Sequence, residues 1–255
     1  MINLIRAEWR KVITVKLGWG MLLGALALAA LGVVAQIASN GNGANGNFLP
    51  PLSAAETQRS IAASSGSAYL FSVVVGIILI TTEFRHFTSR PTFLIEPRRG
   101  LVVVAKLLVA ALVGIIYGVA CAALTAAIMA IWFAALGVNI GWVSNGILLS
   151  MLGDTAVIAI FAVVGIGVGV LVRNQIAAII GTLVYLFVLE PLTDIIPLVQ
   201  KAYPYLPGAA AAAVTGANRG SLAHLNAVQG GLVLLGYGLL FAVGGWLFTI
   251  RRDIP

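Results

Sequence analysis

The chain has 255 residues, of which 60% are hydrophobic and only 9% are charged. A soluble domain carries roughly 25% charged residues, so a water-facing globular fold is excluded and lipid must cover much of the surface. The net charge of +7 would suit nucleic acid if the basic residues formed one face. They stand instead in short clusters between apolar runs, so we expect no nucleic-acid partner.

Metal and disulfide chemistry are also disfavoured. Cys121 is the only cysteine, which excludes an intramolecular disulfide and any cysteine-based metal site. The two histidines, His86 and His224, lie far apart in the sequence. We therefore expect neither a metal ion nor a catalytic site in this chain.

The first 16 residues predict a short amphipathic helix. Ile2, Ile5 and Trp9 recur at helical spacing, while Arg6 and Arg10 lie elsewhere around the helix. Such a helix can lie in the headgroup plane, with its tryptophan at the interface and its cations toward anionic lipid. The alternative is a polar extension of the first membrane span.

Six apolar runs follow, and each is long enough to cross a hydrocarbon core, which requires ~20 residues per helix. Helices are expected because every backbone amide in lipid must be satisfied within its own segment. The sequence therefore predicts an all-α membrane protein, a single transmembrane domain over residues 1–255. The predicted spans are Leu17–Ile37, Ser65–Thr82, Leu107–Leu136, Gly146–Val172, Ile176–Ile196 and Gln229–Ile250.

The basic residues predict the orientation. Of the 15 lysines and arginines, all but Arg59, Lys201 and Arg219 fall on one side of the six spans. The positive-inside rule then places both termini in the cytoplasm. An even number of spans agrees with this placement.

Three connections are then expected outside the cell: 39–64, 137–145 and 197–228. The first contains Gly41–Gly46, which matches G-x-G-x-x-G but follows a membrane helix, so we interpret it as a flexible loop and not a dinucleotide site. The third contains a run of alanines between prolines and is apolar enough to re-enter the membrane as a short helix shielded by protein. The sequence contains no P-loop, so the chain itself is not expected to bind ATP.

Three acidic residues lie within predicted spans. An ionisable group at the bilayer centre costs about 2.5–3.5 kcal/mol on insertion scales. Asp154 lies well inside the fourth span, Glu190 precedes Pro191 in the fifth, and Asp194 lies one turn further on. A structural hydrogen bond or an interfacial position is one explanation, above all for Asp194. A polar pathway, or a lock between two helices, is the other for Asp154 and Glu190.

The connection 83–106 contains the most specific segment, residues 83–99, which we call the docking segment. Its aromatic and aliphatic residues alternate with charges of both signs, and two prolines bracket about a turn and a half. This pattern favours docking into the groove of a partner protein; the alternative is an interfacial loop with snorkelling arginines. The candidate contact residues are Glu83, Arg85, His86, Thr88, Pro91, Thr92, Phe93, Leu94, Pro97, Arg98 and Arg99.

Taken together, the sequence resembles the permease subunit of a type 2 ABC transporter, whose six-span subunits pair with separate ATPase subunits. The resemblance covers nearly the whole chain in layout. Its motifs are Arg6–Lys11 before the first span, Glu83–His86 at the end of the second, Thr92–Leu94 with Pro97–Arg99, and Glu190–Leu192 with Tyr205–Pro207.

The resemblance implies a mechanism. The docking segment would be the coupling helix on a cytoplasmic ABC ATPase, which would bind ATP and Mg²⁺ and drive export of a hydrophobic or amphipathic substrate such as a drug or lipid. Two copies of the chain, or one copy and a homologue, would line the path in the plasma (inner) membrane of a bacterium. Two other functions remain open: an ion-coupled carrier using Asp154 and Glu190, and a non-transporting scaffold or sensor subunit.

Overall fold

The computed structural model describes residues 1–14, 16–41, 51–85, 99–196, 199–216 and 225–251. Within these ranges the chain is helical and contains no strand, as predicted. The α-helices are α1 Ile2–Thr14, α2 Lys16–Gly41, α3 Ala55–Ala62, α4 Tyr69–Arg85, α5 Arg99–Ala135, α6 Ile147–Val172, α7 Gln175–Val184, α8 Glu190–Ile195, α9 Pro207–Thr215 and α10 Ala227–Arg251. A 3-10 segment, Ala63–Ala68, joins α3 to α4, a π-helical segment, Tyr185–Leu189, joins α7 to α8, and a second 3-10 segment spans Gln200–Tyr205.

Six helical stretches in the described ranges are long and apolar enough to cross a membrane, which confirms the predicted number of spans. Successive spans alternate in direction, so the connection from α4 to α5 and the start of α2 share one end of the bundle. We call this the 83–106 end. The spans are Lys16–Ser39, Ala55–Glu83, Gly100–Ala135, Ile147–Val172, Gln175–Thr193 and Ala227–Leu247.

Two predicted boundaries were wrong by about two turns or more. The third span begins at Gly100, and not at Leu107, because Lys106 lies inside the helix and is buried there. The second span begins at Ala55, within the stretch predicted as an outside connection. The polar residues of α3 obscured this helix in the sequence, and two of them, Thr57 and Gln58, are buried.

Buried Gln58 shows how α3 is held. Its side-chain amide donates to the carbonyl of Asn139 at 2.9 Å, and its carbonyl oxygen accepts from the backbone amide of Gly141 at 3.0 Å and from Asn145 Nδ2 at 2.7 Å. A buried amide must find such partners to offset its lost hydration. Gln58 therefore ties α3 to the connection between α5 and α6.

The central helix is α6, which packs against α4, α5, α9 and α10. Glycines permit the close approach. A Cβ on Gly76 of α4 would lie 3.0 Å from the Cα of Gly165 of α6, and a Cβ on Gly114 of α5 would lie 2.6 Å from the Cα of Ala159 of α6. Small residues let membrane helices come into backbone contact in this way. These glycines therefore serve packing within the chain.

The outer spans are covered much less by the rest of the chain. Only 17% of the fifth span and 11% of the sixth are buried within the protein, against 56% of the fourth. Large apolar side chains such as Phe187, Leu239 and Leu240 are exposed on these helices. A surface of this kind suits lipid or another membrane subunit.

Residue 15, between α1 and α2, lies outside the described residues, so the separation of α1 from the first span stays a prediction. Helix α1 itself spans Ile2–Thr14. Its residues Ile5, Trp9 and Val12 pack against a buried cluster that includes Val109 and Val113 of α5. The apolar face of α1 therefore contacts protein. Its position in the headgroup plane, and the cytoplasmic location of both termini, stay predictions.

Candidate functional site

Four charged side chains form a closed ion network at the 83–106 end. Lys11 Nζ lies 2.6 Å from Glu8 Oε1 and 2.7 Å from Glu83 Oε1. Lys106 Nζ lies 2.7 Å from Glu8 Oε2 and 2.5 Å from Glu83 Oε1. Two carboxylates and two ammonium groups therefore balance each other. We call these four residues the ion network.

The network joins three helices that are distant in sequence. Glu8 and Lys11 come from α1, Glu83 from the last turn of α4, and Lys106 from the start of α5. Glu8, Glu83 and Lys106 are buried, whereas the side chain of Lys11 is 46% exposed. A buried ion is tolerated when it is paired and hydrogen-bonded, and each of the three buried ions has two partners of opposite charge.

Lys11, like Glu8, belongs to α1 and lies outside the spans. Partial burial alone would lower the pKa of its ammonium group, but hydrogen bonds to Glu8 and Glu83, together with their charges, outweigh this, so that the pKa is raised above its ordinary value of 10.5. Lys11 is therefore held in its charged form by the two carboxylates.

The network lies at the end of α4 and the start of α5, the two helix ends that flank the docking segment and that we call its roots. Glu83 is buried and its carboxylate is bonded within the chain, while Arg85 is exposed. Arg99 begins α5, but its side chain lies outside the described part, so the contact roles of all these residues stay predictions. The candidates outside the described residues are His86, Thr88, Pro91, Thr92, Phe93, Leu94, Pro97 and Arg98.

Asp154 lies in the opposite half of the bundle and is fully buried. Its Oδ2 accepts a hydrogen bond from the hydroxyl of Ser65, in the 3-10 segment of span two. Its Oδ1 has no hydrogen bond of ordinary geometry and lies beside Gly66, where a Cβ would come within 2.9 Å of it. This hydrogen bond joins α6 to the 3-10 segment of the second span, while the pathway or locking role of Asp154 stays a prediction.

Ser150, one turn away on α6, also contacts the segment between spans five and six. Its hydroxyl donates to the carbonyl of Thr215 at 2.8 Å. Thr215 is the last residue of α9, and Gly216 closes that helix with a φ of 75°, a conformation that glycine adopts without steric penalty. The carboxyl end of α9 is thereby fixed on α6.

Glu190 holds the amino end of the same helix. It is 3% exposed, and its Oε1 accepts from the backbone amide of Ala209 at 2.7 Å. Residue Leu206, at the N-cap position of α9, offers no side-chain cap, so the carboxylate of Glu190 satisfies a free amide there. A Cβ on Gly208 would lie 2.7 Å from Oε1, so glycine gives the carboxylate access.

Pro191 explains the distortion of the helix that carries Glu190. Proline lacks an amide proton and clashes with the carbonyl one turn back. The π-helical turn, Tyr185–Leu189, comes directly before it, and the amide of Glu190 donates to the carbonyl of Tyr185. The expected distortion is therefore a π segment. Asp194 belongs to α8, but its side chain lies outside the described part.

Helix α9 covers the alanine run predicted to re-enter the membrane. It packs against α6 and α10, and Ala209, Ala210, Ala211 and Ala213 are buried. The predicted short helix between spans five and six is present, while its depth in the membrane stays a prediction.

The ion network was not predicted from the sequence, although one signal in the sequence points to it. Lys106 lies in the seventh position of a continuous apolar helix that starts at Gly100. A cation inside a span requires an anionic or polar partner. Few acidic residues are expected at the 83–106 end of the bundle, and Glu8 and Glu83 are two of them.

The chain was also compared with known proteins. A family model described as ABC-2 family transporter protein matches residues 4–189, which is more than half of the chain. The chain belongs to the ABC-2 transporter family. No curated protein matches it.

Membership of this family indicates the class of protein and the partners. ABC-2 permeases are membrane subunits of ABC transporters, so this chain is a multi-pass membrane protein and a transport subunit, and the family implies an ABC ATPase and membrane lipid as partners. The matched range includes the whole ion network and Asp154. Glu190, α9 and the sixth span lie beyond it.

Proposed function

We propose that this ABC-2 protein is the membrane-spanning subunit of an exporter driven by a separate cytoplasmic ABC ATPase. The ATPase would bind ATP and Mg²⁺, and the docking segment of this chain would be the contact site for the ATPase. Displacement of that segment would then switch the membrane subunits between inward-open and outward-open states. The proposed location is the plasma (inner) membrane of a bacterium.

The observation that carries this proposal is the ion network at the roots of the docking segment. Glu83 and Lys106 lie on either side of residues 86–98 and are joined at 2.5 Å. A segment that transmits a displacement needs fixed ends, because movement at a loose end is lost in local rearrangement. The two roots, α4 and α5, both pack on the central helix α6.

The outer surfaces support the proposed substrate class and the proposed second copy. Spans five and six leave most of their apolar surface uncovered within this chain, which supports a second copy, or a homologue, beside them. A path bordered by such surfaces favours a hydrophobic or amphipathic substrate. Export as the direction rests on the resemblance of the docking segment to that of type 2 exporters.

Reconstitution in liposomes tests the proposal. The purified chain would be inserted with and without a purified ABC ATPase from the same organism, and transport of a fluorescent amphipathic dye would be followed after addition of Mg²⁺ and ATP. We expect transport only with the ATPase present. Transport by the chain alone would overturn the proposal, and its loss on adding an uncoupler would point to the ion-coupled carrier.

A matched pair of variants tests the docking segment. Phe93→Ala with Arg98→Ala should reduce transport per ATP hydrolysed at least tenfold, without loss of membrane insertion. The control is Tyr205→Ala with Lys201→Ala, which removes an exposed aromatic residue and an exposed cation at the opposite end. Equal effects of the two pairs would argue against a docking role.

A further inference from the structure

The ion network is built from two pairs that are each neutral. Glu8 and Lys11 are three residues apart on α1 and contact each other at 2.6 Å. Glu83 and Lys106 belong to the membrane-spanning body and contact each other at 2.5 Å. Neither half therefore carries a net charge.

Two contacts join the halves. Lys11 contacts Glu83, and Lys106 contacts Glu8, each at 2.7 Å. Apolar packing adds to them, because Ile5, Trp9 and Val12 of α1 lie against the cluster that includes α5. The ionic contacts of α1 therefore fall near the two helix ends from which the docking segment extends, and its apolar contacts reach further along α5.

The division into neutral pairs has an energetic consequence. Removing one partner from a buried pair leaves an unpaired charge and is strongly destabilising. Separation of α1 as a unit avoids this, because each carboxylate keeps one lysine. The attachment of α1 is thus specific in its charge pattern, yet it can be released without leaving a lone buried ion.

We propose that Glu8 and Lys11 are positioning residues for the ATPase contact, holding α1 across the two roots of the docking segment through their pairs with Lys106 and Glu83. This inference rests on the proposed function. The partner is the ABC ATPase, which would bind a docking segment whose two roots are held in place by α1.

Charge exchange tests this arrangement without changing the composition. In the variant Glu8→Lys with Lys11→Glu, the pair on α1 remains, but both contacts to the body become like-charged. The variant Glu83→Lys with Lys106→Glu does the same from the other side. The fourfold variant restores opposite charges at every contact. A fifth variant, Glu56→Lys with Lys201→Glu, exchanges two exposed charges far from the network as a control.

Two quantities would be measured on the full chain in lipid nanodiscs. The first is amide hydrogen exchange of residues 2–14. The second is the dissociation constant of the purified ABC ATPase used in the reconstitution. Each twofold variant should speed exchange in α1 and raise the dissociation constant, both about tenfold. The fourfold variant should return both to within about threefold of wild type, and the control should match wild type.

A variant without charges on α1 provides a test that remains valid if the charge-exchange variants do not fold. Glu8→Gln with Lys11→Met removes the charges of α1 but leaves the body pair intact, and it should give a smaller increase of about threefold in both quantities. If the charge exchanges do not fold, this variant decides the matter, and wild-type values for it would overturn the inference.

The possible results separate the two proposals. If wild type binds the ATPase and the twofold variants bind it equally well, the positioning role is wrong and the proposed function stands. Faster exchange in α1 with unchanged ATPase affinity has the same meaning. If wild type does not bind the ATPase, the proposed function fails and the positioning role fails with it. Failure of the fourfold variant to recover would show that charge pairing is not the cause.

Discussion

The protein buries carboxylates in two regions and stabilises them differently. At the 83–106 end, Glu8 and Glu83 are each bonded to two lysines. In the opposite half, Asp154 is held by a serine hydroxyl and Glu190 by a backbone amide. The first region uses full counter-charges, and the second uses neutral donors.

The difference indicates what each region contributes. An ion pair depends on the charge of both partners, and removal of one leaves the other unpaired in a medium that solvates it poorly. A carboxylate bonded to a hydroxyl or an amide depends mainly on an acceptor in the right place. We therefore expect loss of charge to be severe at the 83–106 end and mild in the opposite half.

The largest effect is expected for Lys106→Met, which leaves two buried carboxylates with Lys11 alone. The free energy of unfolding, measured by titration with denaturing detergent, should fall by about 3–5 kcal/mol. Lys106→Met combined with Glu83→Gln restores neutrality and should recover part of this loss. Lys201→Met, at an exposed position, is the control. A loss in the double variant equal to that of the single one would show that packing, and not charge, dominates.

Glu190→Ala should have the next largest effect, because it leaves the first amides of α9 uncapped. Loss of a capping acceptor costs about 0.5–2 kcal/mol, and amide exchange of residues 209–213 should report it. Glu190→Gln keeps an acceptor and should cost less. Glu56→Ala, which removes an exposed carboxylate, should leave α9 unchanged. If the glutamine and alanine variants behaved alike, the negative charge itself would be required.

A smaller effect is expected for Ser65→Ala, which removes the donor to Asp154. A hydrogen bond of this kind contributes about 1 kcal/mol net, measurable in the same detergent titration. Asp154→Asn combined with Ser65→Ala should cost less than the sum of the two single variants, since the side chains are in contact. Ser39→Ala, at an exposed hydroxyl, controls for the substitution. Simple additivity would mean that the two side chains do not support each other.

The smallest effect concerns pH. The pKa of Lys11 is raised above 10.5 by its contacts with Glu8 and Glu83. The stability that Lys11 adds is therefore fully present below pH 10.5 and is lost as the pH rises through the raised value. Exchange in residues 2–14, corrected for the intrinsic rate, should be constant from pH 7 to 9 and increase only above about pH 10.5. Lys11→Met should remove this dependence, and an increase near neutral pH would contradict it.

The six spans and the helix over residues 2–14 followed from the sequence because hydropathy and charge are local properties. Each span needs only an apolar run of sufficient length, and the amphipathic pattern of α1 is contained in a few turns. Boundaries failed at polar residues that are buried, such as Lys106 and Gln58, since burial depends on partners elsewhere in the chain.

The sites were harder to predict because their contacts join distant positions. Glu8 and Lys106 are 98 residues apart, and Lys11 and Glu83 are 72 apart. Glu83 was identified as important, but as a contact for a partner; its carboxylate is in fact bonded to two lysines of its own chain. The partner of Glu190 could not be predicted either, because it is a backbone amide, a group that almost every residue possesses.

The π-helical turn at Tyr185–Leu189 sets the rotational register of Glu190. A π turn contains one residue more than an α turn. If the same residues closed into regular α turns, everything beyond them would rotate by about 100° and advance by about 1.5 Å. Glu190 would then be carried away from the amide of Ala209. The winding of a single turn thus determines whether this carboxylate meets α9.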